Sequence, residues 1–487
     1  MSQIKDDPAA APAQSETTPK PSIASRMTVV SVACALFMQS IDSTALSTAL
    51  PTLARAFVTD PIHLKLALTA YIMALAMFVP ASAWAADRFG ARRVFVVAMG
   101  VFLIGSVLCA LSHSLGQLVA ARILQGAGGA MMTPVGRIIV VALHPRDQLI
   151  RAMSWLTTPA VLGPILGPPL SGFILSVADW PWIFYINVPV GLLGMLAVIK
   201  LVPPIKQPHP GQFDMTGFLL VALVISAAMI GAESVGVGLL PLPAQAALWL
   251  TALAGGVAYL RHARGRERPV LNLSLMKITT YRSNITGGNL IRMTNGAMPF
   301  LLPLLLQGGL GWTPLQAGVT TMASAIGMMF ARFGAQFFLH RFGFRIMLIS
   351  TAIACSFTMA ATGWFTPATP LAVMVALLGL NGFLRSNHLT SSSSLAFADI
   401  PDSQISQASS LSAVTQQLGQ ALGITVAGLT LHISQALAAR HGVRPLAPQN
   451  FILPFGVLGL AALLSILTYL PLPANAGASL RGRRRRR

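Results

Sequence analysis

One carboxylate, Asp42, interrupts the long apolar segment from Met27 to Leu50. A charged side chain at bilayer depth is costly, and such residues usually mark an ion or substrate pathway. The chain has 13 Asp and Glu residues. All but two are predicted to lie in tails or loops, Glu233 near the end of an apolar segment, and only Asp42 deep inside one. Asp42 is therefore the predicted binding site of a proton in transit.

A second charge, Arg122, is predicted at a similar depth. At a rise of 1.5 Å per residue, Asp42 lies about 12 Å from the helix end at Leu50, and Arg122 about 10 Å from the start of its own helix. Pairing would lower the cost of burying both charges, and breaking the pair would expose a carboxylate able to take a proton. We expect Asp42 to bind the proton and Arg122 to tune its affinity. The competing interpretation is a static pair that only fixes helix packing.

Other side chains within apolar segments are candidates for lining a cargo cavity. Methionine adapts to many shapes, and Arg292, which has no acidic partner in its own segment, is expected to face water or an anion. The polar stretch at Arg385 either lines the cavity or marks an early helix end. His388 could relay protons or be a hydrogen-bonded structural histidine. The predicted cavity residues are Gln39, Met38, Gln125, Met131, Arg292, Asn295, Arg385 and His388.

The composition identifies the elements that hold these residues. Of 487 residues, 54% are hydrophobic and 9% charged, whereas soluble domains are about 25% charged. Apolar runs long enough to cross a bilayer as helices recur from end to end. We predict an all-α polytopic membrane protein with fourteen transmembrane helices, at 27–50, 64–86, 94–112, 116–140, 150–177, 182–202, 214–235, 240–260, 283–306, 316–339, 345–365, 369–394, 405–434 and 451–471.

Several kinds of site are not expected in this sequence. The first 26 residues are predicted to be a disordered cytoplasmic tail and not a signal peptide, because the apolar run that follows is too long. The three cysteines fall inside apolar segments and offer neither a disulfide framework nor metal spacing. We find no phosphate-binding Gly-x-x-x-x-Gly-Lys-Ser/Thr loop and no nucleophile–base set. We therefore expect no enzyme activity, no metal and no cofactor, with the proton gradient as the driving force.

The net charge of +20 is placed as in a membrane protein. With the N-terminus inside, alternating loops put 25 of the 33 Lys and Arg on the inner side and four on the outer side. The remaining four, Arg122, Arg292, Arg332 and Arg385, lie within spans. This bias predicts a multi-pass protein of a bacterial plasma membrane (the inner membrane) with both termini in the cytoplasm. Accordingly, the run Arg483–Arg487 is predicted to bind anionic lipid and not nucleic acid.

Two inner loops predict an internal repeat. Residues 87–92 read Asp-Arg-Phe-Gly-Ala-Arg and residues 340–345 read His-Arg-Phe-Gly-Phe-Arg, so four of six positions are identical. Repeated halves are typical of secondary transporters that rock around a midplane site, although two tight basic turns could also match by chance. We predict a six-helix bundle over 27–202, an inserted helix pair over 203–260, a basic cytoplasmic linker over 261–282, a second bundle over 283–471 and a basic tail over 472–487.

Five motifs in chain order carry a family resemblance. They are Asp42-Ser43-Thr44 with Ala49-Leu50-Pro51, then Ala83–Arg93, Arg122–Gly129, Gly163–Gly167 and Trp182–Gly191. Together they resemble the major facilitator superfamily in its 14-span drug:proton antiporter branch, of EmrB/QacA type, over nearly all of the chain except the tails. Ser47 stands where that branch usually has Asn, and Ala83 where it has Gly. Phe37–Ser40 and Gly129–Arg137 are similar to MdtD-like multidrug-resistance proteins.

The resemblance implies a proton-coupled exporter that moves small molecules out of the cytoplasm by alternating access, as a monomer. It also implies two groups of gating residues. The charged loop would fasten the outward-open state to a neighbouring helix, and the kinked fifth helix would control closure of the inner side. Topogenic charge and simple helix packing are the alternatives for the two groups. The residues are Asp87, Arg88, Gly90 and Arg92 in the loop, and Gly163, Pro164 and Gly167 in the helix.

Two other functions stay open. Four intramembrane arginines against one deep acid would suit an anionic metabolite or a metal chelate better than a cationic drug. A receptor or membrane enzyme would show no proton-linked flux. For a transporter, the expected partners are a small molecule, protons and the lipid bilayer, with no nucleic acid.

Overall fold

The computed structural model describes residues 23–144, 146–205, 212–235, 240–266, 269–401 and 404–473. Most of the predicted N-terminal tail and nearly all of the basic C-terminal tail, including Arg483–Arg487, lie outside the described residues. So does the side chain of Arg332. The helices are α1 (Ile23–Ala56), α2 (Lys65–Phe78), α3 (Ser82–Phe89), α4 (Ala91–Ala110), α5 (Leu115–Leu143), α6 (Arg146–Val177), α7 (Trp182–Tyr185), α8 (Asn187–Leu201), α9 (Met215–Ser234), α10 (Leu242–Arg264), α11 (Thr279–Ser283), α12 (Asn289–Pro303), α13 (Pro314–Phe342), α14 (Phe344–Thr362), α15 (Leu371–Ala396), α16 (Ile405–Ala439), α17 (Ile452–Leu464) and α18 (Ile466–Tyr469).

Helical segments lie over each predicted span, some of them in two pieces. A 3₁₀ turn at Val79–Ala81 joins α2 to α3, and a π-helical turn at Asn284–Gly288 joins α11 to α12. Within the described residues, nine helices are long and apolar enough to cross a membrane, and many large apolar side chains face outward. The predicted all-α membrane fold is confirmed, whereas the count of fourteen crossings stays a prediction.

The packing of the helices repeats between the two halves of the chain. In the first half α1 packs on α6 and α8, and in the second half α12 packs on α16 and α17. Likewise α5 packs on α2 and α4, as α15 packs on α13 and α14. Helices α9 and α10 pack on each other, and α9 also contacts α2 and α16. This is the pattern that two six-helix repeats with an inserted pair would produce.

Asp214 fastens the inner ends of the inserted helices to each other. Its Oδ1 accepts a hydrogen bond from the backbone N–H of Gly217, which caps α9, and lies 2.6 Å from Nε2 of His262 on α10. Burial raises the pKa of Asp214, but the hydrogen bonds from His262 and Gly217 outweigh burial and hold the pKa below its ordinary value. The ionised side chain therefore joins α9 and α10 as one unit.

The two similar inner loops share one backbone conformation. Gly90, between α3 and α4, has φ 93°, and Gly343, between α13 and α14, has φ 82°. Residues with a Cβ rarely adopt this conformation, so each turn requires glycine. The equal conformation supports the internal repeat that the two sequences predict.

Replacing either glycine by alanine is expected to strain its turn. We expect Gly90→Ala and Gly343→Ala each to lower the free energy of unfolding by about 1–3 kcal/mol, measured by thermal unfolding in detergent. The matched control is Gly100→Ala in α4, where an added Cβ meets no atom within 4 Å. Equal melting temperatures for Gly90→Ala and Gly100→Ala would contradict the required conformation.

Candidate functional site

Asp42 lies at the contact of α1, α5 and α8 and is 1% exposed. Its Oδ2 lies 2.6 Å from Nη1 of Arg122. Its Oδ1 accepts hydrogen bonds from Nε2 of Gln125 at 2.8 Å and from Nδ2 of Asn187 at 2.9 Å. An ionised carboxylate can only accept hydrogen bonds, and all three neighbours donate. The pocket is thus built around a carboxylate anion paired with a guanidinium cation.

Arg122 connects the carboxylate to α2. Its Nη1 also donates to Oε1 of Gln125 at 2.6 Å, and its Nε donates to the backbone oxygen of Ala67 at 3.4 Å. The guanidinium carbon lies 4.2 Å from the ring centre of Tyr71, a cation–π arrangement. Both contacts on α2 fall within two helical turns. A movement of the Arg122 side chain would therefore act directly on α2.

Three residues of this network were not predicted to be site residues, namely Asn187, Ser106 and Tyr71. Asn187 also donates to Oγ of Ser106 at 2.9 Å, and Ser106 in turn donates to the backbone oxygen of Phe184 at 2.9 Å. An amide inside an apolar helix needs a polar partner. Asn187, within the motif Trp182–Gly191, could therefore have been predicted to be a site residue. Tyr71 carried no comparable signal, because an aromatic ring in an apolar helix is usually core.

A cavity of about 400 Å³ lies beside the pair, between the two halves of the chain. Arg122 and Tyr71 form part of its wall, and Asp42 lies behind them. Several helices supply the rest of the wall: α1 through Gln39, Ser40, Ser43 and Thr44, α6 through Pro164 and Pro168, α12 through Asn295, and α15 through Arg385. The buried acid is thus one side chain away from the space that could hold cargo.

The cavity reaches toward the side where α1 begins, which is the predicted cytoplasmic side. Its lining includes Leu156 on α6 and Arg137, an exposed residue near the inner end of α5. On the opposite side, one apolar cluster joins the halves, with Leu46 and Leu50 of α1 and Leu301 of α12 among its members. There, Gln307 of the second half also donates to the backbone oxygen of Thr48. The cavity is therefore closed on the side where α1 ends and reaches toward the side where α1 begins.

The structure places three of the eight predicted cavity residues on the cavity wall, namely Gln39, Asn295 and Arg385. Helix α15 continues to Ala396, so Arg385 does not mark an early helix end. Gln125 belongs instead to the Asp42 network. Met38 and Met131 also lie outside the lining, because they pack in the apolar core of the first half.

Arg292 and His388 do not line this cavity. Arg292 donates to Oδ1 of Asn289 at 3.4 Å and to Oγ of Ser393 at 3.1 Å. The ring nitrogens of His388 lie 3.0 Å from Oγ1 of Thr351 and 2.9 Å from the hydroxyl of Tyr469. These partners favour the structural interpretation of His388 over a proton relay.

Gly163 and Gly167 of α6 lie at its contact with α1. A Cβ added at Gly163 would collide with Ser40, and one added at Gly167 would collide with Thr44. Thr44 also donates to the backbone oxygen of Gly163 at 3.4 Å. The two helices are thus in close contact near Asp42. Pro164 of α6 faces the cavity. The gating role of these residues stays a prediction.

Within the described residues, the charged inner loop contacts α8, a helix of its own half of the chain. Arg92 donates to the backbone oxygen of Ile199, and Arg88 is exposed. Asp87 forms no ion pair with any residue that the structure describes. The predicted contact belongs to the outward-open state, so this structure leaves that prediction untested.

Glu233 lies near the end of its span, as its position in the sequence predicts, and it is nevertheless buried within the protein. Glu233, the penultimate residue of α9, is 4% exposed, and its Oε2 lies 3.0 Å from Nζ of Lys65. Lys65, at the edge of the predicted span 64–86, is the first residue of α2 and is fully buried. Both side chains are covered because the start of α2 and the end of α9 pack against the middle of α16.

Comparison with known proteins gives consistent results. The family model described as Major Facilitator Superfamily matches residues 32–278 and 285–486. Proteins provisionally named multidrug resistance protein MdtD are 37% identical, over 82% of this chain and 85% of the relative in Escherichia fergusonii, and over 84% and 88% in Shigella flexneri. Among solved structures, a D-xylose–proton symporter superposes with a TM-score of 0.64 at 16% identity, covering 93% of this chain and 98% of that chain. The POT family transporter PepTSo superposes with a TM-score of 0.69 at 13% identity, covering 95% and 99%.

Proposed function

This chain belongs to the Major Facilitator Superfamily, and from that premise we propose that it is a proton-coupled antiporter that exports small molecules from the cytoplasm by alternating access. Family membership and the extensive identity to multidrug resistance proteins make it a membrane transporter of a bacterial inner membrane and not an enzyme. The coupling ion, the direction of transport and the alternation are the proposed part.

The observation that carries the proposal is the buried Asp42–Arg122 pair behind the wall of a one-sided cavity. The acid is fully paired, the outer side is closed and the cavity is accessible from inside. An antiporter passes through this state after it has released its proton to the cytoplasm and before it loads cargo. We infer that the described conformation is this loading state.

Proton uptake from the outer side requires that Asp42 lose a donor. Arg122 already contacts Oε1 of Gln125 through the same nitrogen that faces Asp42. The guanidinium can therefore move away from the carboxylate without losing every partner, which leaves Oδ2 free to take the proton. One proton moving through 100 mV supplies about 2.3 kcal/mol, which sustains a cargo gradient of roughly fifty-fold.

The test is proton movement driven by cargo. Purified protein is reconstituted into vesicles that contain a pH-sensitive dye, and a panel of lipophilic cations and organic anions is added with the membrane potential clamped. At least one compound should cause opposite flux of protons. Cargo uptake that proceeds without any proton movement, at every potential, would contradict antiport.

One observation favours an anionic cargo over a cationic drug. Arg385 lines the cavity and is 4% exposed, yet its Nε and Nη1 have no hydrogen-bond partner. Its Nη2 donates to Oγ of Ser324 at 3.3 Å. Among the described residues that line the cavity, three are arginines and none is acidic. A carboxylate or phosphate on the cargo would satisfy these two buried donors once the Arg385 side chain turned toward the cavity.

Replacing Arg385 by methionine tests this alternative. Hydrogen bonds to charged groups contribute about 1.5–3 kcal/mol, so we expect KM for organic anions to rise roughly 10- to 100-fold, with little change for lipophilic cations. The matched control is Arg55→Met, which removes an exposed outer-side arginine. Equal effects of Arg385→Met on anions and cations would exclude a direct contact with cargo charge.

A further inference from the structure

The buried pair of Lys65 and Glu233 has no part in the proposed proton site. We propose that Lys65, Glu233 and Thr425 form a latch that holds the outer side of the transporter closed, with the inserted helix α9 supplying its carboxylate. The Nζ of Lys65 lies 3.0 Å from Oε2 of Glu233, and Oγ1 of Thr425 donates to Oε1 of Glu233 at 2.7 Å. One carboxylate is thus held from two sides.

The latch joins three separate parts of the chain. Lys65 begins α2 of the first half, Glu233 lies in the last turn of α9 of the inserted pair, and Thr425 lies on α16 of the second half. The lysine chain also lies directly against α16 at Gly428, where an added Cβ would come within 2.6 Å of Cδ and 3.0 Å of Nζ. Separation of the two halves at the outer side must therefore break this cluster.

The pair stabilises the closed state because each buried charge needs the other to offset the cost of its burial. Removing one partner of a buried ion pair leaves an uncompensated charge in a medium of low dielectric constant, which is strongly unfavourable. Opening the outer side would let water reach both ions. A lysine that has lost its carboxylate therefore gains far more from opening than a paired lysine does. Loss of Glu233 alone is expected to drive the equilibrium toward the outward-open state.

The latch and the proton site hold the same short segment of α2. Lys65 begins the segment, and Arg122 contacts it at the backbone of Ala67 and at the ring of Tyr71. If Arg122 shifts when Asp42 is protonated, the shift acts on α2 within two turns of the latch. This link rests on the proposed function, whereas the latch itself requires only that the protein alternate between two states.

The test measures the opening of the outer side directly. Spin labels are attached at Arg55→Cys and Arg440→Cys, which are exposed outer-side positions in the first and second halves, in a chain whose Cys34, Cys109 and Cys355 are replaced by alanine. Label distances are measured by double electron–electron resonance. Glu233→Gln should increase the long-distance population about tenfold or more relative to the unsubstituted pair. Thr425→Val, which removes only the hydrogen bond, should produce a smaller shift in the same direction.

A double variant separates a latch from a general loss of stability. Replacing both members of a buried ion pair by uncharged residues is often neutral, so Lys65→Met with Glu233→Gln should return the distances toward those of the closed state. The control Asp179→Asn removes one exposed outer-side carboxylate and should leave the distances unchanged. An unshifted distance in both Glu233→Gln and Thr425→Val, or a double variant as open as Glu233→Gln, would overturn the proposal. No outcome of the proton-flux experiments changes these distances, so the two proposals fail independently.

Discussion

Replacing Asp42 by asparagine is expected to abolish cargo-driven proton movement while the protein still folds and exchanges cargo. Asparagine keeps the size of the side chain but cannot bind or release a proton near neutral pH. The donors from Gln125 and Asn187 keep one acceptor, the amide oxygen. Cargo exchange at equal pH on both sides should therefore persist, whereas accumulation against a gradient should fall to the level of protein-free vesicles.

The measurement compares wild type and Asp42→Asn in dye-loaded vesicles and adds a counterflow assay for cargo exchange. Asp179→Asn is the matched control, because it removes an exposed carboxylate in an outer loop. If Asp42→Asn moves protons with wild-type stoichiometry, Asp42 is a structural anion. Glu233, the next most buried carboxylate among the described residues, would then be the first candidate for proton binding.

The proximity of Asp42 and Arg122 was predictable from the sequence because a charged side chain inside apolar helices has few possible partners. Their depths follow from the helical rise alone, and the cost of burial requires partners. The structure also identifies two further partners of Asp42 that depth alone does not predict. Gln125 and Asn187 reach the same carboxylate only because α5 and α8 are rotated toward α1, and rotation about a helix axis is not encoded in depth.

The same reason explains the mixed outcome for the cavity. Met38 and Gln39 are adjacent in sequence and nearly equal in depth, yet Gln39 faces the cavity and Met38 faces the core. Arg292 and Arg385 are both arginines inside the second half, and only Arg385 reaches the cavity wall. Residue type indicated which side chains need a polar environment. The packing between the halves decided which of them receive it from the cavity.

The ion pair of Lys65 and Glu233 was missed for a different reason. Both residues lie at span ends, where a charged side chain ordinarily reaches water. Their burial depends on α16, which is distant in sequence and covers both of them at the outer side. By contrast, the sequence predicts the repeat from two similar loops, and the glycines of both loops, Gly90 and Gly343, have a positive φ.

Removing the cation of the proton site is expected to have the largest effect on stability. Arg122→Met keeps an unbranched side chain of similar length but leaves Asp42 buried without its ion partner. Breaking a buried pair in this way costs about 3–5 kcal/mol. The variant should therefore unfold at a markedly lower temperature in detergent, and it should not accumulate cargo.

The double variant Asp42→Asn with Arg122→Met decides whether the two residues act as a pair. If the cost of Arg122→Met comes from the stranded carboxylate, neutralising Asp42 should recover most of it, to within about 1–2 kcal/mol of the wild-type free energy of unfolding. Additive losses would instead mean that Arg122 stabilises the protein mainly through Tyr71 and the backbone of Ala67. If the double variant is as stable as the wild type but does not couple cargo to protons, the pair has two separable roles. Stability would then require only that neither charge is buried alone, whereas transport would require a carboxylate that can be separated from Arg122.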